Sequence, residues 1–514
     1  MIFLSLLLLA TLALWLWVRE HYSYWEKRNV PHEKPLPFIG NMRGLGRQYH
    51  WKDINERIYK KFKNTTPIAG FYTFTTRAAF VMDLDVVKDI MIKQFQSFSD
   101  RGLFHNERDD PLTANLLFLD GERWRVLRHK VSPVFTTGKM KFMFPTVVQV
   151  GERLEPACLK FINSEDGSGI VEAKDLCARY TTDVIGTCAF GIECNSLIDP
   201  QAEFRKMGRS IFEKPRHNGV IQGLMFTQPK LAQKLRMKTF SDDVAEFFMT
   251  AVKETVEYRQ KNKIRRNDFM DMLIEMKEER DRLLSEGQSV DEGDVSGGLT
   301  LEQLAAQAMV FFLAGFDTSS TTISFCLYEL ALNQEVQDKV RQEIVEVLGN
   351  NNNELTYESL KDMKYLDMVI SETLRKYSVT PHLVRMCVKD YQVPNTDIVL
   401  EKGLRVIIPL DSIHRDGDYF PEPEKFNPDR FRPEEVAKRH PFSFLPFGDG
   451  PRNCIGMRFG KMQAQIGLIC LLQKFRFDRC PQTQIPMRYS KLSFLLGSEG
   501  GVYLKVEKLE EKNK

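Results

Sequence analysis

The chain is poor in several things, and each shortage excludes a class of protein. Its nine cysteines include no C-x-x-C pair, and in 514 residues they are too few for a disulfide framework, which points to a reducing, cytosol-facing compartment. Net charge is only +3, so there is no bulk positive field for gripping nucleic acid. Neither G-x-G-x-x-G after a strand pattern nor G-x-x-x-x-G-K-[S/T] occurs, so the chain is not expected to bind a nicotinamide itself. No internal repeat and no composition break is visible from residue 41 onward. The first 18 residues, MIFLSLLLLATLALWLWV, hold no charged side chain at all.

What is present is material for a large core: 43% hydrophobic residues, with 36 Phe. The apolar start reads as a membrane anchor over 1–18, a cleaved signal peptide being the alternative. Arg19, Lys27 and Arg28 follow it and place the rest of the chain in the cytoplasm by the positive-inside rule. NVPHEKPLPFIGN, with Pro31, Pro35 and Pro37, reads as a semi-rigid hinge over 19–40 that separates the anchor from a single body over 41–514. Within the body, helices are expected at Thr300–Asn333 and Tyr357–Tyr377, and strands at Gly70–Met82, Leu404–Pro409 and Gly501–Val506. The charged, Gly/Ser-rich run Lys277–Gly298 reads as an exposed loop, and Asn350–Asn353 as a turn. Ile221–Phe226, IQGLMF, reads as an exposed apolar loop able to dip into lipid.

Thr300 and Gln303 form a capping box ahead of LAAQAMVFFLAGF, so a helix of about 50 Å is expected to cross the whole body. It is no second membrane span, because the run turns polar at Asp317-Thr318-Ser319-Ser320-Thr321-Thr322 midway along. In AGFDTSS, Ala314 and Gly315 let something bulky press on the backbone, and Thr318 can bond the carbonyl four residues back. The second landmark is FGDGPRNCIG, in which Phe447, Gly450, Arg452, Cys454 and Gly456 spell F-x-x-G-x-R-x-C-x-G. A thiolate facing a large flat cofactor needs backbone that approaches closely and donors that temper the sulfur, and this stretch offers both.

With these residues in view, the sequence resembles the cytochrome P450 superfamily along nearly its whole length. The resemblance implies a mainly α fold: a large helical domain with a long central helix and a small β-sheet subdomain. It implies haem b, with Cys454 as axial ligand of the iron. Phe447 would pack near the sulfur, Gly456 would follow it, and Ala314 would lie against the ring. Trp124 and Arg128 of WRVLR, with Arg385 and Arg452, resemble the partners of the haem propionates. Glu372 and Arg375 of ETLR resemble the helical E-x-x-R pair, and Arg430 of FNPDRF its third member. Thr318 and Asp317 look like the oxygen-activating alcohol and the acid of the proton relay. E-x-x-R also occurs at Glu122–Arg125 and Glu279–Arg282, so order relative to Cys454 decides among them. One departure stands out: the usual proline three residues after the E-x-x-R arginine is Ser378, with proline at 381. The main chain at Val379 and Thr380, expected to line the substrate pocket with Phe118, is therefore expected to run differently.

The implied activity is a monooxygenase that inserts one atom of O2 into small lipophilic substrates. Anchor, hinge and HYSYWEKRNVP look most like microsomal insect members that metabolise xenobiotics; a hormone or fatty-acid hydroxylase of the same chemistry is the alternative. A haem-thiolate isomerase or dehydratase and a haem sensor are rivals, which Asp317 and Thr318 disfavour. Electrons would come from an NADPH-cytochrome P450 reductase, with cytochrome b5 as a further donor. Docking is expected on a proximal face bearing Arg125, His129, Lys130, Arg458 and Lys461. The implied location is the endoplasmic reticulum membrane, with the body facing the cytoplasm, lipid as a partner and no nucleic acid.

Overall fold

The computed structural model describes residues 2–163, 167–291 and 293–510. The outermost ends of the expected anchor and body, residue 1 and 511–514, lie outside the described residues, as does Glu292 of the expected loop.

The body is mainly helical, with the β structure confined to small sheets. A long helix, Leu301–Leu332, runs through its centre. Thr300 accepts from the Gln303 N–H while Gln303 reaches back to the Thr300 N–H, so the capping box forms as read from the sequence. At 1.5 Å per residue its length is about 48 Å. It is apolar on most sides because it packs against helices Ala173–Ile185, Met457–Lys474 and Lys364–Lys376. Long and apolar enough to cross a membrane, its most apolar window is nonetheless 72% buried within the protein.

The larger sheet has four strands, in the order Ile68–Thr73, Thr76–Val81, Arg405–Ile408, Leu383–Met386. The first two form an antiparallel hairpin in which Ile68 faces Val81, and the remaining pairings are parallel and antiparallel. A three-stranded antiparallel sheet joins Ser168–Glu172, Tyr503–Lys508 and Phe475–Asp478. Two cores result: one around the central helix, one between the larger sheet, helix Trp51–Phe62 and the segment after the N-terminal helix.

Three expectations are corrected. Helix Phe269–Ser285 covers the first part of the expected loop at 277–298, because its charged residues other than the buried Asp271 and Arg280 lie on the outer side of buried Leu273, Ile274 and Met276. Ile221–Phe226 is part of helix Gly219–Thr227, with Met225 buried against Phe104 and Ala232 rather than exposed as a loop. The Pro-rich segment is no spacer at its start. The apolar N-terminal helix extends over Ile2–Tyr22, and directly after it Tyr24, Trp25 and Val30 are buried in the sheet core. Trp25 Nε1 donates to the Phe71 carbonyl at 3.3 Å, and its ring lies so close to Gly70 that a Cβ there would fall 2.4 Å away. Any side chain in place of Gly70 collides with the indole.

Trp25→Ala therefore leaves a large void, and stability is expected to fall by about 3–5 kcal/mol. Urea unfolding checks this through a lowered midpoint at unchanged slope.

Candidate active site

The loop Phe444–Gly456 is shaped by two glycines in the left-handed region, Gly448 (φ +66°) and Gly450 (φ +70°). At Gly450 a Cβ would lie 2.1 Å from the Met91 carbonyl oxygen, so the loop closes only over glycine. The Cys454 N–H donates to the Phe447 carbonyl at 2.8 Å, which folds the loop back on itself. Cys454 is thereby presented to a cavity of about 510 Å³ whose walls are predominantly apolar. Its accessible surface faces this cavity, while protein surrounds it elsewhere. Burial raises its thiol pKa; the Gly456 N–H, then Arg128 and Arg101, oppose the rise.

Along one rim of the cavity stand four guanidinium groups: Arg101, Arg128, Arg385 and Arg452. Arg128 donates to the Asn453 carbonyl (3.1 Å) and to its Oδ1 (2.8 Å), fixing the residue next to the thiol. Arg452 lies 4.0 Å over the Trp124 ring and donates to the Leu119 carbonyl (2.9 Å) and to Asp120 (3.2 Å). Burial and then mutual repulsion depress the cations: Arg101 to about 10, Arg385 and Arg452 to about 9. Asp120 is the one carboxylate paired with this cluster among the described residues, and burial raises its own pKa. Arg385 Nε and Arg452 Nη1 are buried without a hydrogen-bond partner. Such a rim calls for a ligand bearing two anionic groups.

Opposite Cys454 runs the central helix. Ala314 is exposed in mid-helix, which at the centre of a buried helix means that it faces the cavity. Thr318 also lines it and donates to the Ala314 carbonyl at 2.7 Å. Asp317 does not line it. Lys174 holds the Asp317 carboxylate at 2.9 Å and also donates to the Asp317 carbonyl, Ser320 and Thr321.

Behind the cavity, Arg375 and Glu372 are both fully buried and form two parallel bonds of 2.7 and 2.9 Å. Arg430 approaches Glu372 at 3.4 Å, and the Asn427 N–H donates to it at 2.9 Å. The competing sequence pairs differ. Glu122 and Arg125 meet at 3.7 Å in solvent, and Glu279 pairs with Lys130 instead. At the departure from the usual proline, Ser378 Oγ lies 2.8 Å from His414 Nδ1. Since His414 Nε2 accepts from the Leu445 N–H, Nδ1 is the nitrogen that donates. Val379 and Thr380 still line the cavity.

The structure thus brings Cys454, Arg452, Trp124, Arg128, Arg385, Phe447, Gly456, Ala314, Thr318, Val379 and Thr380 to one cavity. Phe118 is not among its walls. It turns toward Phe240 at 6.4 Å between ring centres, and the wall is built by Leu116 and Leu117 instead. Sequence reading missed Arg101, which reaches the Arg452 carbonyl, and Lys174, whose partner Asp317 lies far along the chain. The haem implied by resemblance fits this cavity. A lone thiol faces it, two orphaned guanidinium nitrogens suit the two propionates, and a Cβ built at Gly456 would meet nothing within 4 Å.

Comparison with known proteins agrees with the geometry. The family model "Cytochrome P450" matches residues 30–504. Among Drosophila melanogaster proteins, the chain is 54% identical over 507 residues to "Probable cytochrome P450 6a13", covering 98% of this chain and 99% of the relative. It is 56% identical over 490 residues to "Probable cytochrome P450 6a14", covering 95% and 96%. It is 49% identical over 492 residues to "Cytochrome P450 6a2", covering 95% and 96%.

Arg385→Leu removes one rim cation while keeping the fold. One lost charge-assisted bond is about 1.5–3 kcal/mol, so haem is expected to leave roughly 10- to 100-fold more readily. Transfer of haem to an acceptor apoprotein measures this.

Proposed function

The chain belongs to the cytochrome P450 family, and from that premise we propose that it is a microsomal monooxygenase of foreign lipophilic compounds. Membership makes it an oxidoreductase with haem b, acting with O2, a lipophilic substrate and a redox-partner reductase. The observation that carries the finer reading is the cavity: its walls are predominantly apolar, and both Cys454 and Thr318 line it.

When bound, haem b supplies the oxygen chemistry, activating O2 on a thiolate-ligated iron for insertion into a C–H bond. The chain's residues are assigned as follows. Cys454 gives the thiolate, tempered by the Gly456 N–H, with Phe447 packed beside it. Trp124, Arg128, Arg385 and Arg452 hold the propionates, joined by Arg101. Ala314 lets the ring approach the central helix. Glu372, Arg375 and Arg430 hold the backbone beneath. Val379 and Thr380, with Leu116, Leu117, Phe212 and Phe494, shape the substrate's space.

Thr318 holds a proton at its hydroxyl on the cavity wall, and Asp317, the residue before it, relays protons from outside the cavity, where it pairs with Lys174. This division of labour fits a monooxygenase better than an isomerase or a sensor, which have no proton to deliver.

The reductase is assigned to the face that bears Arg125, His129, Lys130, Arg458 and Lys461, with cytochrome b5 as an alternative donor there. Lys130 and Lys461 are engaged with Glu279 and Asp367, so the exposed side chains of Arg125, His129 and Arg458 are more available to a partner. In the three-part organisation, 1–18 anchors the chain in the endoplasmic reticulum membrane, 19–40 joins it to the body, and 41–514 is the haem-binding catalytic domain on the cytoplasmic side. The exposed apolar side chains of helix Ile2–Tyr22 support the anchor, and Leu36, Phe38 and Ile39 continue the apolar surface beyond it.

In a system reconstituted with reductase and NADPH, a panel of lipophilic compounds is expected to yield oxygenated products; no product from any of them would overturn the reading. Thr318→Val keeps the shape, so stability is expected to change by no more than ~1 kcal/mol. NADPH should still be consumed, with product per NADPH falling roughly 10-fold and hydrogen peroxide rising. Asp317→Asn should slow turnover instead. Deleting residues 2–18 is expected to leave haem binding intact, because Trp25 and its packing remain, and to lower partition into lipid vesicles without abolishing it.

A further inference from the structure

Behind the cavity wall lies a buried polar cluster that the oxygen chemistry does not use. Helix Trp51–Phe62 sits on the outer side of the wall, and two contacts at its start tie it there. His50 caps this helix through Nδ1 and, with the other ring nitrogen, donates to the Ser493 carbonyl at 2.9 Å. Trp51 stands edge-on to His382 at 4.8 Å, and His382 stands edge-on to Phe494 at 5.4 Å. Phe494 lines the cavity, and the Leu496 N–H donates to the Val379 carbonyl at 2.8 Å, so the two wall segments are joined.

At the centre is Asn55, 1% exposed. Its side-chain amide reaches three acceptors: the Pro381 carbonyl (3.1 Å), Asp411 Oδ1 (3.1 Å) and His382 Nδ1 (3.3 Å). An amide has two hydrogens for these three, so the acceptors compete. The Asp411 N–H also donates to the Pro381 carbonyl, at 3.2 Å.

We propose that Asn55 and Asp411 are specificity-determining positioning residues, which set the placement of Thr380 and Phe494 through Pro381 and His382. Asp411 is the switching member. When ionised, it forms a charge-assisted bond and draws the Asn55 amide toward itself, leaving Pro381 and His382 to share the other hydrogen. When neutral, it competes on equal terms, and Pro381 and His382 are held more firmly. The groups facing Asp411 are Lys52 and Asn55 from the outer helix, His382 and Pro381 from the wall, and Ser412 and Arg415 from its own segment; Tyr489 flanks Lys52 and Arg415. Burial raises the Asp411 carboxyl to about 7, and Lys52 opposes the rise. Burial, then the nearby His50, hold His382 down to about 3, so its ring stays neutral while Asp411 titrates. The sign follows: a raised carboxyl is neutral below its pKa, so the wall is firmer at lower pH and looser above about 7.

The inference rests on the haem reading, and the test separates the two. Ferric holoprotein is titrated with pyridine and with 4-phenylpyridine from about pH 6 to about pH 8.5, following the haem absorption shift, with each concentration expressed as the neutral base. The ratio of the two dissociation constants cancels changes at the iron and reports the wall. In the unmodified protein it is expected to change roughly fivefold across this range, with a midpoint near neutrality. In Asp411→Asn it is expected to be flat. Asn55→Leu should change the ratio at every pH and remove most of its pH dependence. A flat ratio in the unmodified protein overturns the inference without any variant having to fold, and so does a ratio that still titrates in Asp411→Asn. Absence of a shift with pyridine itself would instead overturn the haem reading.

Discussion

Everything near the thiol hangs from one buried ion pair. Glu372 and Arg375 are fully enclosed, and neither has a route to water. A charge pair in that position is expensive to strip of solvent, and breaking one half of it typically costs about 3–5 kcal/mol. What it secures is backbone. Arg375 donates to the carbonyls of His414 and Pro423, so two chain segments distant in sequence are pinned to one helix. His414 in turn grips Ser378 with one ring nitrogen and the Leu445 N–H with the other. Leu445 leads into the cysteine loop and Ser378 into the cavity wall. The ion pair therefore sets the distance between the thiol and the wall opposite without touching either.

The same network explains the replacement of the usual proline. A proline at 378 would stiffen the backbone; the serine hydroxyl instead takes a hydrogen bond from His414, whose ring burial keeps neutral. Position is held by a bond rather than by a ring. Val379 and Thr380 line the cavity, and stiffness is regained at Pro381, where Asn55 and Asp411 converge.

How much of this was legible in the sequence depended on how local the cause was. The central helix, its cap and its polar interruption are set within one stretch, and they appear where the pattern placed them. The cysteine loop was legible because glycines, arginine and cysteine stand within ten residues. Phe118 was misplaced because a loop wall is decided by single-residue direction, and Leu116 and Leu117 took its place. The stretch at 277–298 was read as loop from its charge, which is also what a solvent-facing helix stripe looks like. Lys174 and Asn55 gave no signal, since their side-chain partners lie 143 to 356 positions away, and Arg101 gave none because it joins the rim through the Arg452 carbonyl, 351 positions on. The Pro-rich segment misled in the other direction: its prolines speak of a spacer, while the tryptophan before them is what decides the packing.

That tryptophan changes what the N-terminal helix can be. Helix Ile2–Tyr22 ends in a segment locked into the sheet by Trp25, by Tyr22 donating to the Phe74 carbonyl, and by His21 at the Thr75 carbonyl. A flexible leash would let the body tumble freely above a bilayer. A welded mast makes the tilt of the helix and the tilt of the body a single degree of freedom. With the helix anchored as proposed, rotation is restricted in advance, and an encounter with another membrane-bound protein becomes a search in two dimensions with few wrong orientations, so the entropy lost on docking is correspondingly smaller.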